Sequence, residues 1–313
     1  MTIISFLKLV EIQTKIASVF PFLIGLLFVI YRYDSFYLAN TLIFFSAMLL
    51  FDLTTTVINN YIDYQKASSE SFREEHNIIS QIGISLNQVI KIIFIMLIVS
   101  IALSLWLVYR TDLFVLFVGM LCFAIGIFYT FGPIPLSRMP LGEFFSGVTM
   151  GFGIIFLTVY INAYSEGITN FKLDGFNLQF NANLILLLEI LIISLPSVLT
   201  ISNLMLANNI CDLEEDIENQ RFTLPYYIGR KNALRIFNYL YLLAFIALVV
   251  AVFLKLVPTI LLASLLMVYP IYKNAKKFYQ TQVKSETFSL AIKNLILING
   301  SIVILFLTAL IWM

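Results

Sequence analysis

Apolar residues in this chain come in long uninterrupted blocks, and no other feature constrains its fold as much. Nine such stretches run at 16–31, 37–58, 89–108, 113–131, 141–164, 184–207, 234–254, 258–272 and 288–311. A helix needs about 20 predominantly apolar residues to cross the hydrocarbon layer of a bilayer. The blocks therefore predict an all-α integral membrane protein with nine transmembrane helices. Composition agrees, since 60% of the 313 residues are apolar and 12% are charged, against roughly 45 to 50% and about 25% in a soluble domain. Little chain is left for a separate water-soluble domain, so a single membrane domain over 1–313 is expected. The first block follows Lys8, Glu11 and Lys15 and is trailed by no small-residue cleavage site, which predicts a retained helix and not a removable signal peptide.

The cations give the orientation. All but four of the 19 Lys and Arg residues fall on or beside one face if the N-terminus is cytoplasmic; the exceptions are Arg32, Arg110, Lys172 and Lys255. Positive residues concentrate in cytoplasmic loops, so an N-in, C-out arrangement is expected, with Trp312 at the far interface. The outer segment 165–183 has few charges and is expected to act as a connection only. Net charge is +1 with scattered Lys and Arg, which excludes a basic surface for nucleic acid. Cys122 and Cys211 lie in or beside apolar runs and read as small buried side chains instead of a disulfide.

Polar chemistry collects in two cytoplasmic motif loops, near 59–87 and 208–233. The first opens Asn59-Asn60-Tyr61-Ile62-Asp63 and the second Asn208-Asn209-Ile210-Cys211-Asp212, continuing to Asp216. Helical residues three and four apart share a face. Asn59 with Asp63, and Asn208 with Asp212 and Asp216, thus form two polar stripes at helix ends, and their equivalent settings suggest a pseudo-repeat facing one cavity. Carboxylate and amide oxygens suit a hard divalent ion such as Mg²⁺, which is commonly held by one or two carboxylates plus substrate phosphates. His76 is the single histidine, so a multi-His metal site or a His-centred triad is excluded by counting.

These motifs resemble those of the UbiA superfamily of intramembrane prenyltransferases, N-D-x-x-D-x-x-x-D and D-x-x-x-D. Asn59 and Asp63 match the first, with Asn60 at its second position and Ala67 where its last Asp is expected; Glu70 lies nearby. The second motif is complete in Asn208, Asp212 and Asp216, and the likeness continues through Asn219, Thr223, Leu224 and Gly229. Lys15, Ala17, Ser18, Pro21, Gly25, Tyr129, Gly132, Pro133, Leu141, Gly142 and Glu143 are similar to the branch acting on 1,4-dihydroxy-2-naphthoate in menaquinone synthesis. The resemblance implies nine helices around a central cavity capped by the motif loops, in a cell membrane, most simply a bacterial cytoplasmic one. It implies Mg²⁺-dependent transfer of a polyprenyl group from prenyl diphosphate to 1,4-dihydroxy-2-naphthoate with decarboxylation, giving demethylmenaquinone.

On that reading Asn59, Asp63, Asn208, Asp212 and Asp216 hold the metal, and loss of diphosphate leaves an allylic cation that the aromatic ring attacks. Lys66, Arg73, Arg138 and Arg221 would neutralise the diphosphate as fixed charges, and the Tyr61 and Tyr129 rings would stabilise the cation. Asp52 lies inside the second span, where a carboxylate costs about 2.5 to 3.5 kcal/mol at mid-helix. It is expected either to hold or deprotonate the acceptor's hydroxyls or to bond another helix. Glu189 is expected to make a helix–helix hydrogen bond. Alternatives are 4-hydroxybenzoate or another aromatic acceptor, or a secondary transporter, which would place its carboxylates near mid-bilayer.

Overall fold

The computed structural model describes residues 2–66, 77–130, 135–174 and 177–312. Ala67, Glu70, Arg73, His76, Gly132 and Pro133, together with the side chain of Lys66, lie outside the described residues. Among those described, seven helices are long and apolar enough to cross a membrane: Ile12–Tyr33, Leu38–Gln65, Leu86–Arg110, Gly142–Glu166, Leu184–Cys211, Arg230–Phe253 and Lys284–Ile311. This is a multi-pass membrane protein. The two other predicted blocks are helical as well. One is the apolar helix Leu113–Thr130; the other winds as a 3-10 helix over Thr259–Met267 and continues as the α-helix Val268–Gln280.

Contacts divide the chain into two compact units. The first comprises Met1–Ile16 and Leu38–Pro135. Its long helices Leu38–Lys66 and Leu86–Arg110 are bonded to each other along their length. Ser100 donates to the Ala47 carbonyl at 2.9 Å and the Arg110 guanidinium to Asn40 Oδ1 at 2.8 Å. Such bonds matter in lipid, where apolar contact alone gives helices no preference for each other over acyl chains. The helix Leu113–Thr130 adds Phe123, whose ring lies 4.0 Å from that of Phe51. At one end Leu9, Val10, Leu53, Val57, Ile79 and Val89 close a small core. The outward side of Leu86–Arg110 exposes Phe94, Ile95, Ile98, Leu105 and Trp106, as a lipid-facing surface should.

The second unit comprises Ala17–Tyr37 and Leu136–Met313 and is organised on the helix Leu184–Cys211. Pro196 sits inside this helix. A buried network of Ser197, Thr200 and Asn299 joins it to Lys284–Ile311: Ser197 donates to Asn299 Oδ1 at 2.7 Å and Asn299 Nδ2 to Thr200 Oγ1 at 2.9 Å. Gly147–Gly153 is π-wound between the α-helices Gly142–Ser146 and Ile154–Ala163. Glu189 makes the expected interhelical bond, as a bidentate pair with Arg32 at 2.9 and 3.0 Å.

The segment 165–183 departs from the all-α expectation. Thr169–Asp174 and Asn177–Ala182 pair as an antiparallel two-stranded ribbon, with Phe171 opposite Phe180 and Leu173 opposite Leu178. Here the alternation of Phe171 and Leu173, and of Leu178 and Phe180, is a period-two signal that hydropathy over spanning windows averages away.

Candidate active site

In the second unit the motif begins on the last turn of Leu184–Cys211. Asp212 ends this helix, its N–H bonding the Asn208 carbonyl at 3.0 Å, and at once starts the short helix Leu213–Glu218, where the Asp216 N–H returns to the Asp212 carbonyl at 2.7 Å. The backbone therefore continues past the span end with one bend, and Asn208, Asp212 and Asp216 keep their four-residue spacing. Each carboxylate has a cation. Lys284 bonds Asp212 Oδ2, and the Arg221 guanidinium lies 3.2 Å from Asp216 Oδ1. Arg230 grips Glu214 at 2.5 and 2.7 Å on the exposed side.

Asp216 is 3% exposed and its Oδ2 has no hydrogen-bond partner among the described residues. Burial pushes its pKa up to about 6; Arg221 pulls the value down and the neighbouring Asp212 pushes it up. A buried carboxylate oxygen is costly unless a hydrogen-bond donor, a proton or a cation meets it. Among the described residues no three acidic, His or Cys side chains converge as a ready cage. The oxygen donors of Asn208, Asp212 and Asp216 are of the chemical type that suits a hard ion such as Mg²⁺, which commonly takes one or two carboxylates and fills the rest of its shell with water and substrate oxygens.

In the first unit Asn59 is half-buried and Asp63 exposed on the final turns of Leu38–Lys66. Asn60, at the motif's second position, turns instead to the N-terminal segment, donating to the Leu9 carbonyl at 3.1 Å and to Glu11 Oε1 at 3.2 Å. Its own carbonyl accepts from Asn77 at 3.0 Å. Its place in the motif is thus taken up by structure. Tyr61 accepts from Gln65 at 2.6 Å and packs against the small core; Tyr129 is half-buried on its helix.

Asp52 is held by Lys15, a partner that sequence spacing did not reveal. Lys15 Nζ reaches Asp52 Oδ1 at 2.9 Å, the Asp52 carbonyl at 3.2 Å and Thr56 Oγ1 at 2.5 Å. Lys284 is likewise brought to Asp212 from 72 positions away, beyond the reach of any spacing rule. Of the four cations assigned to the diphosphate, Arg221 contacts the acidic motif; Arg138 contributes its carbonyl to the Phe222 N–H at 3.1 Å.

Spanning helices here end in an oxygen-rich, cation-paired stripe, the class of arrangement expected of a membrane protein with chemistry at its helix ends. The profile of the UbiA prenyltransferase family matches residues 18–298. The chain belongs to that family and is a prenyltransferase. It is similar to the 1,4-dihydroxy-2-naphthoate octaprenyltransferase of Bacillus subtilis (strain 168), with 26% identity over 245 residues, covering 76% of this chain and 70% of that protein. Its fold matches a UbiA homologue from Aeropyrum pernix K1 in the apo form with a TM-score of 0.69, at 16% identity over 92% of this chain and 97% of the other. It also matches a UbiA homologue from Archaeoglobus fulgidus bound to DMAPP and Mg²⁺, with a TM-score of 0.65 at 11% identity over 97% and 98% of the two chains.

Proposed function

We propose that the protein transfers a polyprenyl group from prenyl diphosphate to 1,4-dihydroxy-2-naphthoate, with Mg²⁺, in a bacterial cytoplasmic membrane that it crosses nine times with its N-terminus inside. The prenyl C–O bond to diphosphate breaks and a C–C bond forms to the ring. The ring carboxylate leaves as CO₂ and its electron pair stays on the ring. The immediate product is the demethylmenaquinol, recovered as demethylmenaquinone after oxidation. The choice of acceptor is supported by the likeness to the Bacillus subtilis enzyme.

The observation that carries the reading is the second motif, where Asp216 keeps one buried oxygen unmatched beside Asp212 on a span end lined with Arg221 and Lys284. Asn208, Asp212 and Asp216 would hold Mg²⁺, with Asn59 and Asp63 contributing from the first motif. When bound, the ion supplies charge neutralisation for the departing diphosphate. Arg221 and Lys284, already placed at the carboxylates, add fixed positive charge where negative charge develops. Lys66, Arg73 and Arg138 are assigned the same duty, and Tyr61 and Tyr129 offer ring faces to the allylic cation. Asp52 would act on the acceptor's hydroxyls only if Lys15 leaves it an oxygen to do so.

The test is prenyl transfer by purified protein offered either 1,4-dihydroxy-2-naphthoate or 4-hydroxybenzoate with a prenyl diphosphate, with and without Mg²⁺. Mg²⁺-dependent prenylation of the naphthoate with CO₂ release is expected. Turnover of 4-hydroxybenzoate alone would overturn the acceptor assignment and keep the chemistry.

A further inference from the structure

Glu143 stands in the short helix Gly142–Ser146 and is 6% exposed. Its Oε1 accepts a hydrogen bond from Asn209 Nδ2 at 2.8 Å, and Asn209 is 2% exposed. Its Oε2 has no partner among the described residues. A buried carboxylate satisfied on one oxygen is a poor packing element, because an apolar pair of similar volume fills such a site at no desolvation cost. The bond therefore calls for a reason beyond stability.

Its position supplies one. The π-wound segment that follows Glu143 presses directly on the motif helix. A Cβ on Gly147 would lie 2.7 Å from the Val198 carbonyl oxygen, and one on Gly151 would lie 2.5 Å from Val198 Cα. Backbones that close cannot slide, so the two segments are locked along Val198 to Ser202, and the Glu143 bond ties them again two turns further on. Asn209 is adjacent to Asn208, and one residue is about 100° of helix rotation. Holding Asn209 toward Glu143 fixes the direction in which Asn208, and Asp212 one turn later, project from the helix end.

We infer that Glu143 is a positioning residue which, through Asn209, sets the rotation of the last turn of the motif helix and so aligns Asn208 and Asp212 on their cation. This rests on the reading of that motif as a divalent-ion site. Residues that bond a metal ligand directly typically change metal affinity by 10- to 100-fold when removed, and Glu143 acts one residue further back, so the lower end of that range is expected.

The experiment measures Mn²⁺ binding by electron paramagnetic resonance to the detergent-solubilised full chain in the presence of inorganic pyrophosphate, alongside thermal unfolding. In Glu143→Gln the amide oxygen still accepts from Asn209, and wild-type affinity is expected. In the double variant Glu143→Leu with Asn209→Leu, the Kd for Mn²⁺ should rise about tenfold while the unfolding temperature holds or rises. A double variant that binds like wild type overturns the inference, as does one that loses its fold, since the tie would then be structural. A Glu143→Gln variant as weak as the double variant shows that the charge matters and not the alignment, and also overturns it. Failure of the wild-type chain to bind Mn²⁺ with pyrophosphate would instead remove the cation reading itself.

Discussion

Replacing Lys15 by Met should destabilise the first unit far more than a surface lysine would. Lys15 is 4% exposed and places its three ammonium protons on Asp52 Oδ1, the Asp52 carbonyl and Thr56 Oγ1. Asp52 itself is 17% exposed and loses its buried ammonium partner when the lysine goes. Removing one partner of a buried ion pair costs about 3 to 5 kcal/mol, and the remaining exposure of Asp52 puts the expectation at the lower end. At about 2 °C per kcal/mol for a long chain, the unfolding temperature should fall by about 6 °C. Multi-span proteins unfold irreversibly, so wild type and variant are compared in detergent at one scan rate. Adding Asp52→Leu to Lys15→Met should restore most of the loss, because both charges are then replaced by apolar groups. A Lys15→Met chain that unfolds with the wild type would refute the reasoning. So would a double variant no more stable than the single one, because the loss would then not come from a stranded carboxylate.

Asp212→Ala should abolish prenyl transfer while leaving the chain folded, checked by product formation and thermal unfolding side by side. Gly151→Val should destabilise by about 1 to 3 kcal/mol, because the added Cβ meets the Val198 backbone at 2.5 Å. Gly126→Ala should cost less in the same unfolding measurement, since its Cβ meets the edge of the Phe51 ring at 2.6 Å and a ring can turn aside. Asn299→Ala should cost about 1 kcal/mol by stranding the Ser197 hydroxyl, while the Thr200 hydroxyl keeps its bond to the Pro196 carbonyl at 2.7 Å, and Asn299→Ala with Ser197→Ala should cost less than the two separate losses added.

The parts of this protein that local sequence encodes were legible in it. Spanning length is a property of a window, and the apolar blocks became helices with ends displaced by a few residues. The second motif was legible because Asn208, Asp212 and Asp216 share one helical face and the helix runs through them with only a bend at Asp212. Cross-helix partners were not legible. Lys15 meets Asp52 across 37 positions and Lys284 meets Asp212 across 72, and no spacing rule selects them from 19 cations. Asn60 shows the converse error available to motif reading, for it stands in the motif yet bonds the N-terminal segment.

Both units therefore treat their carboxylates in the same way. A carboxylate on a long helix is met by a lysine brought from a distant segment, Lys15 for mid-helix Asp52 in one unit and Lys284 for Asp212 at the helix end in the other, and an asparagine within the motif is spent on a neighbouring segment, Asn60 in one and Asn209 in the other. The difference lies in exposure. Lys15 is buried with its partner and has three acceptors to leave, whereas the Lys284 side chain is 54% exposed and has Asp212 as its contact. Only the lysine of this second pair is exposed, so on the proposed reading a divalent ion would compete for Asp212 more readily than for an acid whose lysine is buried among three acceptors, and the ammonium would then be available to the substrate's phosphates. Asp52 offers an incoming ion no such exchange. That contrast supports the proposal that the second motif carries the chemistry, while the Lys15–Asp52 pair ties the N-terminal segment to the helix that carries the first.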